Sequence, residues 1–158
     1  FAPLNGVRLV RKWLLLTYKI PREPTAGRVF VWRKLKQLAA IAIQDAIWVL
    51  PKTPRTEEQF QWLATEITKL GGKAILWEAD QLYATDAMGF ETQFNEPLIA
   101  EYKSICAALK KKNCDLEELS KRYGEVQKRD YFASELGKQT REKLLAAGGG
   151  SSTSTFLL

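Results

Sequence analysis

Three short apolar runs alternate with two stretches of helical periodicity in the first half of the chain, and this alternation sets the fold expectation. Trp13-Leu14-Leu15-Leu16-Thr17-Tyr18 is aliphatic and aromatic and stops at Pro21. Ala46 to Leu50 stops at Pro51, and Ala74 to Glu78 follows Gly71-Gly72. Apolar runs of this length, closed by Gly or Pro, read as buried strands. A shorter piece, Ala40 to Ile43, leads into the middle run through Gln44-Asp45, which reads as a tight hairpin turn. Between the runs lie two amphipathic helices. The first is capped by Thr25 and runs to about Leu38, with Val31, Leu35, Leu38 and Ala39 as its stripe. The second is capped by Thr56, places Glu57, Glu58 and Gln59 in its first turn, and buries Phe60, Leu63, Ile67 and Leu70 before Gly71 stops it. The order β-α-β-β-α-β within residues 13–80 is the split βαβ arrangement, so the fold class is α+β with a ferredoxin-like core.

The strands are apolar on both faces: Leu14, Leu16 and Tyr18 alternate with Trp13, Leu15 and Thr17. Two helices cover one face of a four-stranded sheet, so the other face calls for a second subunit or the C-terminal part of the chain. Residues 81–94 read as a linking loop. A helical extension over 95–145 follows, its first helix opening at Asn95 with Glu96-Pro97 and burying Leu98, Ile99, Tyr102, Ile105, Cys106 and Leu109. Asp115 with Glu118 reads as a capping box for the next helix. Leu116, Leu119, Tyr123 and Val126 step along it as a coiled-coil-like seam suited to pairing two copies. Residues 1–12 form a basic arm, and residues 146–158, rich in Gly, Ser and Thr, a flexible tail.

Composition narrows the function classes. The 158 residues contain no histidine. Ser-His-Asp and Cys-His catalysis, HExxH zinc sites and histidine pH switching are therefore excluded. The net charge of +6 is unevenly placed. Residues 1–40 hold nine basic residues against Glu23 alone, residues 41–100 hold four basic and nine acidic, and residues 101–158 hold eleven basic and eight acidic. No apolar stretch is long enough to span a bilayer, and residues 1–12 lack the apolar core of a secretory signal. Two cysteines, Cys106 in a helix and Cys114 just past its end, fit plain thiols in a reducing cytoplasm.

The basic excess gives the candidate site. Lys19 and Arg22 flank the start of the first helix, where free N–H groups and the dipole favour anions. Arg33, Lys34 and Lys36 are expected to project away from the sheet, and Arg8, Arg11 and Lys12 extend the basic set along the arm. A DNA backbone or an oxyanion suits this group; a plain solvated helix face is the alternative. Arg28 falls near Val31, Leu35 and Leu38 on the helical wheel. An Arg28–Asp45 ion pair is expected to lock the strand–helix end against the hairpin. Trp13, Trp32, Trp48, Trp62 and Trp77 read mainly as core. Asp80, Asp86 and Glu91 read as a solvated loop rather than a cation site.

Trp13 to Pro21, then Arg28-Val29-Phe30-Val31-Trp32-Arg33-Lys34-Leu35-Lys36-Gln37-Leu38, then Gln44-Asp45-Ala46-Ile47-Trp48-Val49-Leu50-Pro51, resemble the N-terminal domain of the ChrB family of bacterial chromate-resistance proteins. The similarity covers about residues 13–145 and is strongest over 13–80. It implies a regulatory or accessory protein of chromate resistance, a transcription regulator that responds to chromate. Together with the basic segment, the bare sheet face and the seam, the expectation is a homodimer that binds duplex DNA, takes chromate or another oxyanion as effector, and uses no catalytic residue, metal or cofactor. A fainter similarity, confined to the core, runs to PaaX-type repressors and to the ferredoxin-like nucleases of CRISPR adaptation. Two alternatives follow: a divergent metal-dependent nuclease, and an anion-sensing or scaffold module without DNA affinity. The adaptation nucleases place a metal-binding aspartate at the end of the first strand, where this chain reads Thr17-Tyr18-Lys19.

Overall fold

The computed structural model describes residues 12–82 and 89–149, which divide into two compact units, Phe1–Thr85 and Asp86–Leu158. The first unit runs β1 (Lys12–Lys19), α1 (Thr25–Gln37), β2 (Ile41–Gln44), β3 (Ile47–Pro51), α2 (Pro54–Lys69) and β4 (Lys73–Asp80). Its sheet has the order β2-β3-β1-β4, with every neighbouring pair antiparallel. This is the ferredoxin-like order that the alternation of elements predicts.

Leu14 and Leu16 of β1 and Leu50 of β3 are buried on the face that takes the helices, as are Val31 and Leu35 of α1 and Phe60, Leu63 and Ile67 of α2. The opposite face carries Leu15, Thr17, Ile75 and Trp77, brought side by side by the register Leu15↔Trp77 and Thr17↔Ile75. Trp77 donates its indole N–H to Thr17 Oγ1 at 3.0 Å. Coverage of this face is graded: Trp13 and Val49 are buried, whereas Ile75 and Trp77 stay 54% and 50% exposed.

Both helix starts differ from the sequence expectation. Thr25 is the first helical residue of α1, the N-cap is Pro24, and no side chain caps this end. Thr56 sits one turn inside α2, whose N-cap is Thr53. The two threonines form a reciprocal capping box, Thr56 N–H to Thr53 Oγ1 at 3.1 Å and Thr53 N–H to Thr56 Oγ1 at 2.9 Å. Pro54 at the first helical position explains the shift, because its fixed φ favours starting the helix there. Buried Thr56 also donates its hydroxyl to the Pro51 carbonyl at 2.6 Å, tying α2 to the end of β3. Thr56→Val keeps the shape but orphans that carbonyl and the Thr53 N–H. It should cost about 2 kcal/mol in urea unfolding, against about 1 kcal/mol for Thr53→Ala. Equal losses would mean that the cap, and not the bond to β3, carries the contribution. The hairpin turn is Asp45-Ala46, one residue later than read, with a register irregularity between Ala42 and Gln44.

The second unit consists of α3 (Gly89–Leu109), α4 (Leu116–Gln127) and α5 (Glu135–Ala147) around Leu98, Tyr102, Ile105, Leu119, Tyr123, Val126 and Leu144. α3 begins well before the expected Asn95 and keeps Pro97 in its interior. Buried Phe94 in this added stretch packs edge-on to Tyr131 and against Phe132, with centroids 5.9 and 5.8 Å away. Those contacts offset the backbone bond that proline removes. Asp115 caps α4, accepting from the Glu117 and Glu118 N–H groups, but the reciprocal Glu118 bond of the expected capping box does not form. Of the seam expected to pair two copies, Leu119, Tyr123 and Val126 are consumed in the core of their own unit, whereas Leu116 is only half-buried and outside it. The tail expected over 146–158 lies outside the described residues from 150 onward.

Candidate functional site

The two units differ in charge as sharply as in fold. Residues 1–85 contain thirteen basic and seven acidic residues, and residues 86–158 eleven of each, so the whole excess of +6 belongs to the first unit. Within it, three lysines are neutralised. Lys12 pairs with Asp80 at 2.7 Å, Lys52 with Glu78 at 2.6 Å, and Lys69 with Glu66 at 2.8 Å. The Lys52–Glu78 contact raises the lysine pKa and lowers that of the carboxyl, chiefly through the hydrogen bond they share. By contrast, Lys19, Arg22, Arg28, Arg33, Lys34, Lys36 and Lys73 make no ion pair among the described residues.

Topology gathers part of this set. β3 runs antiparallel to β1, with Thr17 opposite Ile47 and the Tyr18 N–H bonded to the Ala46 carbonyl at 3.3 Å. The exit of β1, the first turns of α1 and the Asp45-Ala46 hairpin therefore meet at one end of the sheet. Between them lies a cleft of about 540 Å³ lined by residues that include Lys19, Arg22, Arg28, Trp32, Asp45 and Trp48. Lys73 stands opposite Lys19 in the β1–β4 register and adds a fourth cation at this end.

Side-chain positions on α1 correct several expectations. Arg28 and Asp45 share the cleft, but no ion pair joins them. Arg28 lies on the flank of the helix rather than on its buried stripe of Gly27, Val31 and Leu35, and it is exposed. Lys36, one turn beyond Trp32 on the same flank, stacks over the Trp32 and Trp48 rings at 5.7 Å to each centroid. Lys34 leans the other way, over Trp62 of α2 at 5.3 Å and Phe30 at 5.9 Å, beside a second cleft of about 330 Å³ between the two helices. Of Arg33, Lys34 and Lys36, Arg33 makes no such contact among the described residues. Lys12 belongs to β1 and is paired, while Arg8 and Arg11 lie outside the described residues.

The cation–aromatic stacks were not anticipated, although Trp32–Lys36 and Phe30–Lys34 sit at the i, i+4 spacing that brings helical side chains together. Lys73 was also missed; the antiparallel placement of β4 was the available signal. Trp48 is buried, as a core reading requires, whereas Trp32, Trp62 and Trp77 are 51%, 43% and 50% exposed. Burial pushes the Tyr18 phenol upward, opposed by the neighbouring Trp48 N–H and the Arg28 charge.

The acidic residues weighed for a cation are dispersed. Asp80 is bound to Lys12, Glu91 sits in the first turn of α3, and Asp86 lies outside the described residues. Among the described residues, no group of three or more His, Cys, Asp or Glu side chains is placed to hold a metal ion. Cys106 and Cys114 are free thiols. No helix among the described residues is long and apolar enough to cross a membrane.

A family model described as Protein ChrB, N-terminal, matches residues 28–117. Protein ChrB of Cupriavidus metallidurans is 26% identical over 135 residues, covering 78% of this chain and 41% of that protein. The chain thus spans about two fifths of the length of that curated relative. No solved structure matches it.

Proposed function

This chain belongs to the ChrB N-terminal family, and on that premise we propose that it serves chromate resistance as a regulatory protein that contacts duplex DNA through its first unit. The carrying observation is the set of seven cations, Lys19, Arg22, Arg28, Arg33, Lys34, Lys36 and Lys73, that have no carboxylate partner among the described residues. A fold that already pairs Lys12, Lys52 and Lys69 has the means to neutralise its surface; leaving α1 and the adjoining sheet end bare favours a polyanionic partner. Sequence-independent affinity for a phosphate backbone needs only such a field, and helix starts and exposed cations are its ordinary sources.

The test is fluorescence anisotropy on labelled duplex DNA over a range of salt. Each neutralised phosphate contributes about −0.9 to the slope of log affinity against log salt. Arg33→Gln with Lys73→Gln removes two exposed cations that do not line the cleft, and should flatten that slope by up to about 1.8. A sequence-specific regulator also binds its target duplex at least about a thousandfold more tightly than a scrambled one. An unchanged slope in the double variant, or strand cleavage on adding Mg²⁺, would overturn the reading.

A further inference from the structure

The cleft at the end of the sheet holds more than a phosphate backbone needs, and we infer that it is a binding site for a nucleoside monophosphate. This goes beyond the DNA reading and does not depend on it.

Three features select that chemistry. The first is size: an open groove of about 540 Å³ has room for a ligand as large as a nucleotide, and a bare tetrahedral oxyanion fills only a small part of it. The second is the pairing of an aromatic plate with charge. Trp32 lines the cleft with half its surface exposed, and Lys36 lies over its ring. Lys19, Arg22 and Arg28 stand on the same walls, near the uncapped start of α1. A base stacked on Trp32 leaves its 5′-phosphate within the field of these cations and of the free N–H groups of α1.

The third feature is polar groups that an inorganic anion would leave idle or oppose. Asp45 sits in the cleft without an ion-pair partner among the described residues, repelling a bare dianion while offering an acceptor to a ribose hydroxyl or an exocyclic amine. Trp48, only 6% exposed, also lines the cleft, and its indole N–H meets no acceptor at hydrogen-bonding geometry. The indole N–H stands near enough to the Tyr18 hydroxyl to favour its ionised form, without reaching hydrogen-bond geometry with it. An orphaned buried donor beside a stacking surface and three cations suits a ligand that carries its own acceptors.

The experiment is tryptophan-fluorescence titration of the full chain with AMP, adenosine, inorganic phosphate and chromate, each alone. AMP should quench saturably and bind at least about tenfold more tightly than any of the other three. Trp32→Ala should weaken AMP binding by a similar factor, with Trp32→Phe restoring part of it, and Arg28→Gln should weaken AMP but not adenosine. Phosphate or chromate binding as tightly as AMP, or AMP affinity unchanged in Trp32→Ala, would overturn the assignment. The salt slope on duplex DNA, read through Arg33 and Lys73, stands or falls separately.

Discussion

Gly72→Ala will be the most damaging single-methyl substitution in the first unit, lowering its stability by about 2–3 kcal/mol. A Cβ at this position would stand 2.5 Å from the Lys19 carbonyl oxygen and 2.8 Å from Ile67 Cγ2, with the Ile67 carbonyl at 3.1 Å. Two of those atoms are backbone and the third belongs to a fully buried side chain, so none of them can move cheaply. The close approach arises because the Gly72 N–H closes α2 on the Ile67 carbonyl at 2.9 Å just before β4 pairs with β1. Neighbouring Gly71 provides the control. Its φ of +83° strains any other residue, but its Cβ would meet only Pro21 at 3.8 Å, so Gly71→Ala should cost about 1–2 kcal/mol. All five tryptophans lie within residues 1–85, so urea unfolding followed by tryptophan fluorescence reports this unit alone. A Gly72→Ala midpoint equal to or above that of Gly71→Ala, at unchanged m, would show that the strand entry has more slack than these distances allow.

That junction also shows why the first unit could be read from sequence. Gly71-Gly72 stops one periodic stretch and opens an apolar run, and such punctuation repeats at Pro21, at the Asp45-Ala46 turn and at Pro51. Strong punctuation fixes the number and order of elements, and the ferredoxin-like order follows from that sequence of types. The ends were less legible where two residues compete for one role. Thr25 and Thr56 have the chemistry of N-caps, but Pro24 and Pro54 decide where φ becomes helical, which displaces Thr25 into the helix and Thr56 to its third position. The start of α3 was hidden for a different reason. Pro97 reads as a helix opening, and long-range packing of Phe94 on Tyr131 and Phe132 supports the helix ahead of it.

The candidate site was legible as composition and less so as geometry. Charge counts along the chain isolate the basic segment, and the topology puts Lys19, Arg22 and Arg28 at one sheet end with the hairpin. Which way each α1 side chain leans depends on the flank it occupies. A wheel drawn around Val31 and Leu35 leaves Arg28 at the stripe's margin, where an exposed guanidinium keeps its hydration instead of binding Asp45. Lys34 and Lys36 swing to opposite flanks because aromatic rings of α2 and β3 wait there, contacts invisible to local periodicity. The seam at Leu119, Tyr123 and Val126 was likewise correct as a buried stripe, but periodicity cannot tell whether the partner is another copy or the same unit.

Asp130→Ala will be the corresponding lesion of the second unit, with a loss of about 2–4 kcal/mol on helix unfolding followed by circular dichroism. This carboxylate accepts the Tyr102 hydroxyl at 2.8 Å, the Ser134 hydroxyl at 2.7 Å and the Ser134 N–H at 3.0 Å. Ser134 in turn caps α5 through the Gly137 N–H at 3.1 Å, so one side chain joins the buried Tyr102 of α3 to the start of α5. Packing there is close: a Cβ on Gly137 would lie 2.6 Å from Asp130 Oδ2 and 2.9 Å from Tyr102 Oη, so the α5 backbone abuts this network directly. Tyr102→Phe removes the matching donor without orphaning it and should cost only about 1 kcal/mol. The double variant should then fall short of the sum, because both singles break the same bond. The network also makes a pH signature. Burial first, then the hydrogen bond to Asp130 and the charge of that carboxylate, push the Tyr102 phenol far above its usual 10.0. The unfolded chain ionises this tyrosine near pH 10 while the folded one resists, so the stabilisation is complete below that pH and is lost as pH rises beyond it. Wild type should therefore show tyrosine absorbance near 295 nm that appears only on unfolding, and Tyr102→Phe should remove the Tyr102 share of that late step and part of the alkaline loss of stability. A wild-type titration in which every tyrosine ionises near pH 10 in the folded protein would mean that Tyr102 is neither sealed nor bonded as described.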